Sequence, residues 1–134
     1  MSYFIDEKVG EGVIKAALLD EHAKKTAESF FFTTRHGDKK EGLTSAQLRR
    51  FYNDVKSIEK RIDSGTDFAK VLPMIKMIKS KVSYASNPKK KKVPGEFRKF
   101  IDTCINNISN KEDFKAFCKH FEAVVGYFYG EGVR

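Results

Sequence analysis

Apolar residues recur every three or four positions through most of the chain, which is the period of an amphipathic helix. The clearest example is the stretch "LTSAQLRRFYNDVKSIEKRI" at positions 43–62. One apolar stripe runs along it and consists of Leu48, Phe51, Val55, Ile58 and Ile62. A stripe of this width is typical of a helix that packs one face against a core.

The start of this helix is specified by two further signals. Thr44 and Gln47 match a capping box, in which the Thr hydroxyl accepts from the Gln amide and the Gln side chain accepts from the Thr amide. Leu43 and Leu48 flank the box at the two positions of a hydrophobic staple. We therefore expect this helix to begin directly after Thr44.

The same period predicts four more helices. The first runs from about Asp6 to Phe32, and a loop over positions 37–42 follows it. Another spans about Asp67 to Ala85, with Met77 facing away from the core. The last two begin at Pro94 and at Ser109 or Asn110, and Gly130 ends the final one. The final helix has the richest apolar stripe, which comprises Phe114, Phe117, Cys118, Phe121, Val125 and Phe128.

Few segments alternate with the period of a strand, so the sequence predicts an all-α fold. The chain has 134 residues, of which 40% are hydrophobic and twelve are phenylalanine, which suits one core. We expect a single domain over residues 1–134, folded as a compact bundle of about five helices. The helical spacing of the phenylalanines indicates core positions rather than platforms for stacking bases.

Charge is distributed unevenly along the chain. The net charge is +8, and the span from Lys76 to Lys99 alone holds nine Lys or Arg and one acidic residue. Within it, "SNPKKKKV" at 86–93 predicts a basic loop, since Asn87–Pro88 ends a helix and adjacent lysines repel one another. This concentration favours a polyanionic partner. A nuclear localisation signal and a plain solubility loop remain alternative interpretations of the lysine run.

A second basic feature lies on the capped helix. At about 100° per residue, Arg49, Lys56 and Lys60 share one flank, whereas Arg50 has Asp54 four residues on as a surface ion-pair partner. These three residues form either a solvated helix face or a surface for phosphates. The full set of candidate RNA-binding residues is Arg49, Lys56, Lys60, Lys76, Lys79, Lys81, Lys89, Lys90, Lys91 and Lys92.

Patterns typical of enzymes and metal sites are missing from the sequence. No GxGxxG, GxxxxGK[ST], HExxH or GxSxG pattern occurs, so we expect no catalysis and no cofactor. The three histidines lack metal-ligand spacing, and Cys104 and Cys118 suit buried core positions, so we expect no metal. "RHGD" at 35–38 resembles a polar turn. Without an apolar run of about 18 residues or a signal peptide, we expect a cytoplasmic protein with no membrane contact.

Three segments together resemble a known family. "LTSAQLRRFYNDVKSIEKR", "MIKMIKSKVSYAS" and "FKAFCKHFEAVVGYF" are similar, in order and spacing, to the small helical subunit of type III-A CRISPR interference (Csm) complexes. Thr44, Gln47 and Arg49 match the capped helix, Lys79 and the Tyr84–Ala85 pair match the middle segment, and the final helix matches from Phe121 to Phe128. Gly126 replaces the usual alanine, and Asn87–Pro88 stands where the family often has Gly-Arg.

The resemblance implies a non-catalytic bundle of about five helices. Copies of that subunit stack along guide RNA and single-stranded target RNA, beside the other CRISPR effector subunits, in antiviral defence. It also implies that Arg49 and Lys79 face the RNA backbone and that Tyr84 packs or touches a sugar-phosphate. The alternative function is a protein-interaction module that holds acidic partner proteins through Met77 and the basic helix edges, with only incidental RNA contact.

Overall fold

The fold is a bundle of five α-helices. The computed structural model describes residues 16–33, 39–41, 43–86 and 93–130. A short 3-10 helix at Ala16–Leu19 precedes α1, and a two-stranded hairpin separates α1 from α2. The helices are α1 (Glu21–Glu28), α2 (Ser45–Asp63), α3 (Phe68–Ala85), α4 (Gly95–Asn106) and α5 (Lys111–Gly130). The predicted all-α bundle is confirmed, with the hairpin as a small addition. In the described part of the chain, no helix has the length and apolar character needed to cross a membrane.

The predicted end of the first helix is wrong. α1 stops at Glu28, and Phe31–Thr33 forms strand β1, which pairs antiparallel with β2 (Lys39–Glu41). Two side chains cap the backbone here: Thr26 Oγ1 donates to the His22 carbonyl at 2.8 Å, and Ser29 Oγ donates to the Thr26 carbonyl at 2.6 Å. Such bonds compete with helix propagation. The aromatic and β-branched run that follows favours extended backbone instead.

Helix α5 supplies more fully buried phenylalanines to the core than any other described helix. It packs against α1 and α2, while α3 packs against α2 and α4. Six phenylalanines are fully buried, and α5 provides four of them: Phe114, Phe117, Phe121 and Phe128. The predicted apolar stripe of α5 is wrong at one position, because Val124 is fully buried whereas Val125 is only half-buried. The apolar stripe predicted for α2 is confirmed at all five positions.

The predicted capping box is present at the start of α2. The Gln47 amide donates to Thr44 Oγ1, and the Thr44 amide donates to Gln47 Oε1, both at 3.1 Å. Leu43 and Leu48, the two staple residues, are both fully buried. Local sequence therefore fixes the residue at which α2 starts. This start determines which side of the helix Arg49 and the residues after it occupy.

Replacing Thr44 with alanine is expected to lower the free energy of unfolding by about 1 kcal/mol, because the variant leaves the Gln47 amide without its acceptor. Urea denaturation monitored by helical circular dichroism measures the loss. Thr44→Ser is the matched control, since it keeps a hydroxyl in the same place and should retain most of the stability. Equal stability of Thr44→Ala and the unmodified protein would contradict the role of the cap.

Candidate nucleic-acid interface

The structure distributes the predicted RNA-binding residues over separate surfaces. Lys89 to Lys92 lie outside the described residues. The other six occupy α2 and α3, and each of them is exposed except Lys79, which is half-buried. Their contacts with neighbouring helices differ, and these contacts decide how much free positive charge each residue offers to a ligand.

The outer face of α2 carries three of the six: Arg49, Lys56 and Lys60. Between them, Asn53, Lys56, Ser57 and Lys60 line a shallow surface depression that also reaches Glu59 and Asp63. Ammonium, amide and hydroxyl groups can all donate hydrogen bonds to phosphate oxygens. This depression therefore combines four hydrogen-bond donors with the carboxylates of Glu59 and Asp63.

Two of the three basic residues on this face keep their charge uncompensated. Lys56 Nζ donates to Glu59 Oε1 at 2.8 Å, and this bond raises the pKa of Lys56. Glu59 also lies 4.0 Å from Lys115 Nζ, which bonds to Asp63 as well. In contrast, neither Arg49 nor Lys60 forms an ion pair with another described residue. These two cations carry the net positive charge of the face.

An aromatic seam between α2 and α5 supports this face. The Arg49 guanidinium lies over the Tyr129 ring, 5.9 Å from its centroid, and Tyr129 donates to the Ser45 carbonyl at 3.3 Å. Tyr52 packs edge-on against Phe121. Burial, together with the nearby Glu122 carboxylate, raises the pKa of Tyr52. Sequence reasoning missed this seam, because its partners are distant along the chain. The two tyrosines near the end of α5, which are half-buried in the structure, were the available signal.

The basic residues of α3 lie in two different places. Lys79 Nζ donates to Asn106 Oδ1 at 2.6 Å, so it links α3 to the last turn of α4. Lys81 lies on the opposite edge of α3, with its Nζ 3.7 Å from Asp54 of α2. Lys76 is exposed on the outer side of the helix. The structure therefore does not join these lysines into one continuous patch with the α2 face.

The structure changes two expectations about residues near the basic side chains of α2 and α3, and it confirms a third. Asp54 forms its ion pair with Lys81 rather than with Arg50, so the predicted i,i+4 surface pair is wrong. Tyr84 is 64% exposed and does not belong to the core. Met77, predicted to face away from the core, is 54% exposed, and this prediction is confirmed. Arg50, Lys81, Met77 and Tyr84 all remain accessible to a partner.

The groups with reactive chemistry are buried. Cys104 and Cys118 are both buried thiols, as predicted, and burial raises the pKa of the Cys118 thiol far above neutrality. A thiol held protonated is a poor nucleophile. Among the described residues, no group of three or more His, Cys, Asp or Glu could hold a metal ion. The "RHGD" turn lies outside the described residues.

Sequence comparison identifies the family. A family model described as Csm2 Type III-A matches residues 14–131, which include all three segments that carry the resemblance. Neither a curated protein nor a solved structure matches the chain. The match spans the whole helical bundle, including the α2 face that carries Arg49. The chain belongs to the Csm2 family, the non-catalytic small subunit of type III-A CRISPR Csm complexes.

Proposed function

We propose that this chain binds the backbones of guide RNA and single-stranded target RNA, and that it has no enzymatic activity of its own. As a subunit of a cytoplasmic Csm complex, it would help to assemble the filament together with other effector subunits and further copies of itself. The observation that carries the proposal is the outer face of α2, where Arg49 and Lys60 remain without an acidic partner among the described residues.

Such a face suits phosphate rather than base recognition. Phosphate contacts made by Lys, Arg and small polar side chains position a strand without reading its sequence. Recognition by base stacking would need a set of exposed aromatic platforms. Among the described residues the core phenylalanines are buried, and Tyr84 is the large aromatic side chain that is exposed. Binding independent of sequence is what a subunit needs when base pairing between guide and target already supplies specificity.

The lysine-rich segment is proposed to extend this contact. Lys89 to Lys92 follow α3 directly and add four positive charges close in sequence to Lys76 and Lys81. One subunit with a few phosphate contacts binds weakly, but several subunits on the same strand raise the effective concentration of each contact. We therefore expect weak binding by the free chain and much stronger retention of RNA by the assembled complex.

The double substitution Arg49→Ala, Lys60→Ala is expected to weaken binding of single-stranded RNA about tenfold, because it removes two contacts of roughly 0.7 kcal/mol each. The slope of log K against log salt should fall by about 1.4, at about 0.7 per lost phosphate contact. Fluorescence anisotropy with a labelled RNA of mixed sequence, measured at several salt concentrations, gives both values.

The matched control is Lys24→Ala, Lys25→Ala, which removes the same charge from exposed positions on α1. This control should change the affinity and the salt slope less than half as much. Equal effects of the two double variants would mean that only net charge matters, and the α2 face would lose its assigned role. A variant of the lysine run, Lys89 to Lys92→Ala, then tests whether that segment carries the binding instead.

A further inference from the structure

A second surface lies on the other flank of α2, in a groove between α2 and α3. Its volume is about 270 Å³, and apolar side chains form most of its floor: Ile58, Met74, Met77 and Ile78. Met77 is 54% exposed. A flexible, polarizable side chain such as Met adapts to varied partners and is over-represented at protein-binding surfaces. The groove shares Ser57 with the depression on the Arg49 face, but its two methionines take no part in the proposed RNA contact.

Two rows of side chains with the same spacing of four, three and four residues border the groove. The row on α2 consists of Arg50, Asp54, Ser57 and Arg61. The row on α3 consists of Lys70, Met74, Met77 and Lys81. The central members of both rows and Lys81 line the groove itself. Residues at this spacing share one helix face, so the three other basic residues extend the same rims beyond the groove.

The charge of this surface is strongly one-sided. Basic residues stand at both ends of both rows, whereas Asp54 is the only acidic residue in either row. Asp54 is already engaged by Lys81 at 3.7 Å. Arg50, Arg61 and Lys70 are exposed and form no ion pair with another described residue. The surface therefore combines an apolar floor with basic rims.

We propose that the α2–α3 groove docks an acidic amphipathic helix from a different protein subunit. Apolar residues of that helix would pack on Met74 and Met77, as in other helix-in-groove complexes. The Asp and Glu side chains beside those apolar residues would face the basic ends of the two rows. These opposite charges would orient the bound helix and speed its encounter with the groove. The proposal does not depend on RNA binding, because Met74 and Met77 lie outside the Arg49 face, which this groove borders at Ser57.

A second copy of this chain fits the groove poorly. Among the described residues, the large apolar side chains that are exposed are Met77 and Tyr84, and both already belong to α3. Another copy therefore offers no described apolar ridge to insert. Face-to-face pairing of two grooves would oppose one set of basic rims with another. RNA is also a poorer fit, because phosphates gain nothing from a methionine floor.

Photo-crosslinking tests the occupant directly. The full chain, carrying a benzophenone amino acid at position 77, is assembled with the other Csm subunits and RNA, then irradiated, digested and sequenced by mass spectrometry. We expect adducts to a helical segment of another subunit whose apolar residues recur every three or four positions and are flanked by Asp and Glu. Adducts to RNA, adducts to a second copy of this chain, or no adduct above that of the same probe at Lys24 would each overturn the proposal.

Substitutions provide a second test with its own control. Met77→Glu and Lys81→Glu are each expected to reduce incorporation into the complex about tenfold, whereas Met77→Leu should behave as the unmodified chain. Met77 is exposed, so Met77→Glu should leave the thermal midpoint of the free chain and its affinity for RNA unchanged. Lys81→Glu places a second carboxylate beside Asp54 and should lower the midpoint slightly. Full incorporation of both Glu variants at physiological salt would overturn the proposal even if RNA binding by the α2 face also failed.

Discussion

Replacing Phe97 with alanine is expected to lower the free energy of unfolding by about 3–5 kcal/mol, the largest stability effect anticipated in the molecule. Phe97 is fully buried. Its ring contacts four others at centroid distances between 5.2 and 6.3 Å, namely Phe30, Phe51, Phe100 and Phe121. Truncation therefore removes edge-on and tilted ring contacts in addition to buried area.

Thermal and urea denaturation of Phe97→Ala measure this loss. At about 3–5 °C per kcal/mol for a domain of this size, the midpoint should fall by roughly 10–20 °C. Phe97→Leu is the matched control, because it keeps most of the volume and should cost no more than about 1.5 kcal/mol. Phe68→Ala, at a half-buried position at the start of α3, should also cost less. A loss below 1.5 kcal/mol for Phe97→Ala would show that the ring cluster does not hold the helices together.

The ring cluster explains how the short hairpin belongs to the bundle. Phe30 lies between α1 and β1, and its ring meets Phe97 at 5.2 Å and Phe100 at 5.8 Å on α4. The Leu43 amide donates to the Phe30 carbonyl at 3.2 Å, which extends the hairpin pairing up to the start of α2. The hairpin thus connects α1 to α2 with its first residues anchored in the core.

The sequence predicts α2 well because independent local signals agree there. The apolar period, the capping box at Thr44 and the staple at Leu43 all specify the same start and the same buried face. The end of α1 was harder to predict, because an apolar run such as Phe30 to Phe32 suits either a helix or a strand. The strand pairing that decides it joins β1 to Lys39–Glu41, so the pattern within one segment does not reveal it.

The fifth helix shows a second limit of the apolar pattern. Val124 and Val125 are adjacent, and either could continue the stripe that ends at Phe128. Because α5 packs against both α1 and α2, its buried surface is wider than one stripe. Which of the two valines is buried depends on the position of α1. The apolar period of α5 does not give that position.

The candidate site could be predicted only as a set of basic residues. The ion pair between Lys56 and Glu59 joins residues three positions apart on α2, which is a spacing that sequence alone can identify. The contacts that decide the other charges join residues far apart in sequence, such as Lys79 with Asn106 and Lys81 with Asp54. Tertiary packing therefore determines whether Lys79 and Lys81 keep an unpaired charge for a ligand. It also distinguishes the Arg49 face of α2 from the α2–α3 groove.

Helix α2 therefore has two proposed binding flanks with different chemistry. One carries uncompensated cations and hydrogen-bond donors and suits phosphates, and its free energy of binding should fall steeply with salt. The other adds an apolar floor, so its binding should persist at higher salt. A subunit with this division can hold RNA and a neighbouring protein at once, since the unpaired cations Arg49 and Lys60 and the methionine floor lie on different flanks of α2.

The buried histidine on α5 makes the fold sensitive to acid. His120 is fully buried, and its Nδ1 is hydrogen-bonded to the Leu18 carbonyl. Because a carbonyl only accepts, Nδ1 carries the proton of the neutral ring, and Nε2 has no partner among the described residues. Protonation would place a charge on a ring whose second nitrogen has nowhere to donate. His22, whose ring centroid lies 5.2 Å away, adds like-charge repulsion.

Lowering the pH from 8 to 5 is expected to remove about 2 kcal/mol of stability through His120. Burial lowers the pKa of His120 from 6.5 to about 4, so only the unfolded chain takes up this proton between those values. The contribution of His120 to stability is complete above pH 6.5, falls as the pH drops toward 4, and levels off below.

Urea denaturation at pH 8 and pH 5 measures the loss of stability between these two pH values. In His120→Asn, this loss should be smaller by about 2 kcal/mol. His22→Asn is the control, because His22 is exposed. This variant should keep most of the loss of stability between pH 8 and pH 5. An NMR titration midpoint of His120 near 6.5, or an unchanged pH dependence in His120→Asn, would contradict this assignment.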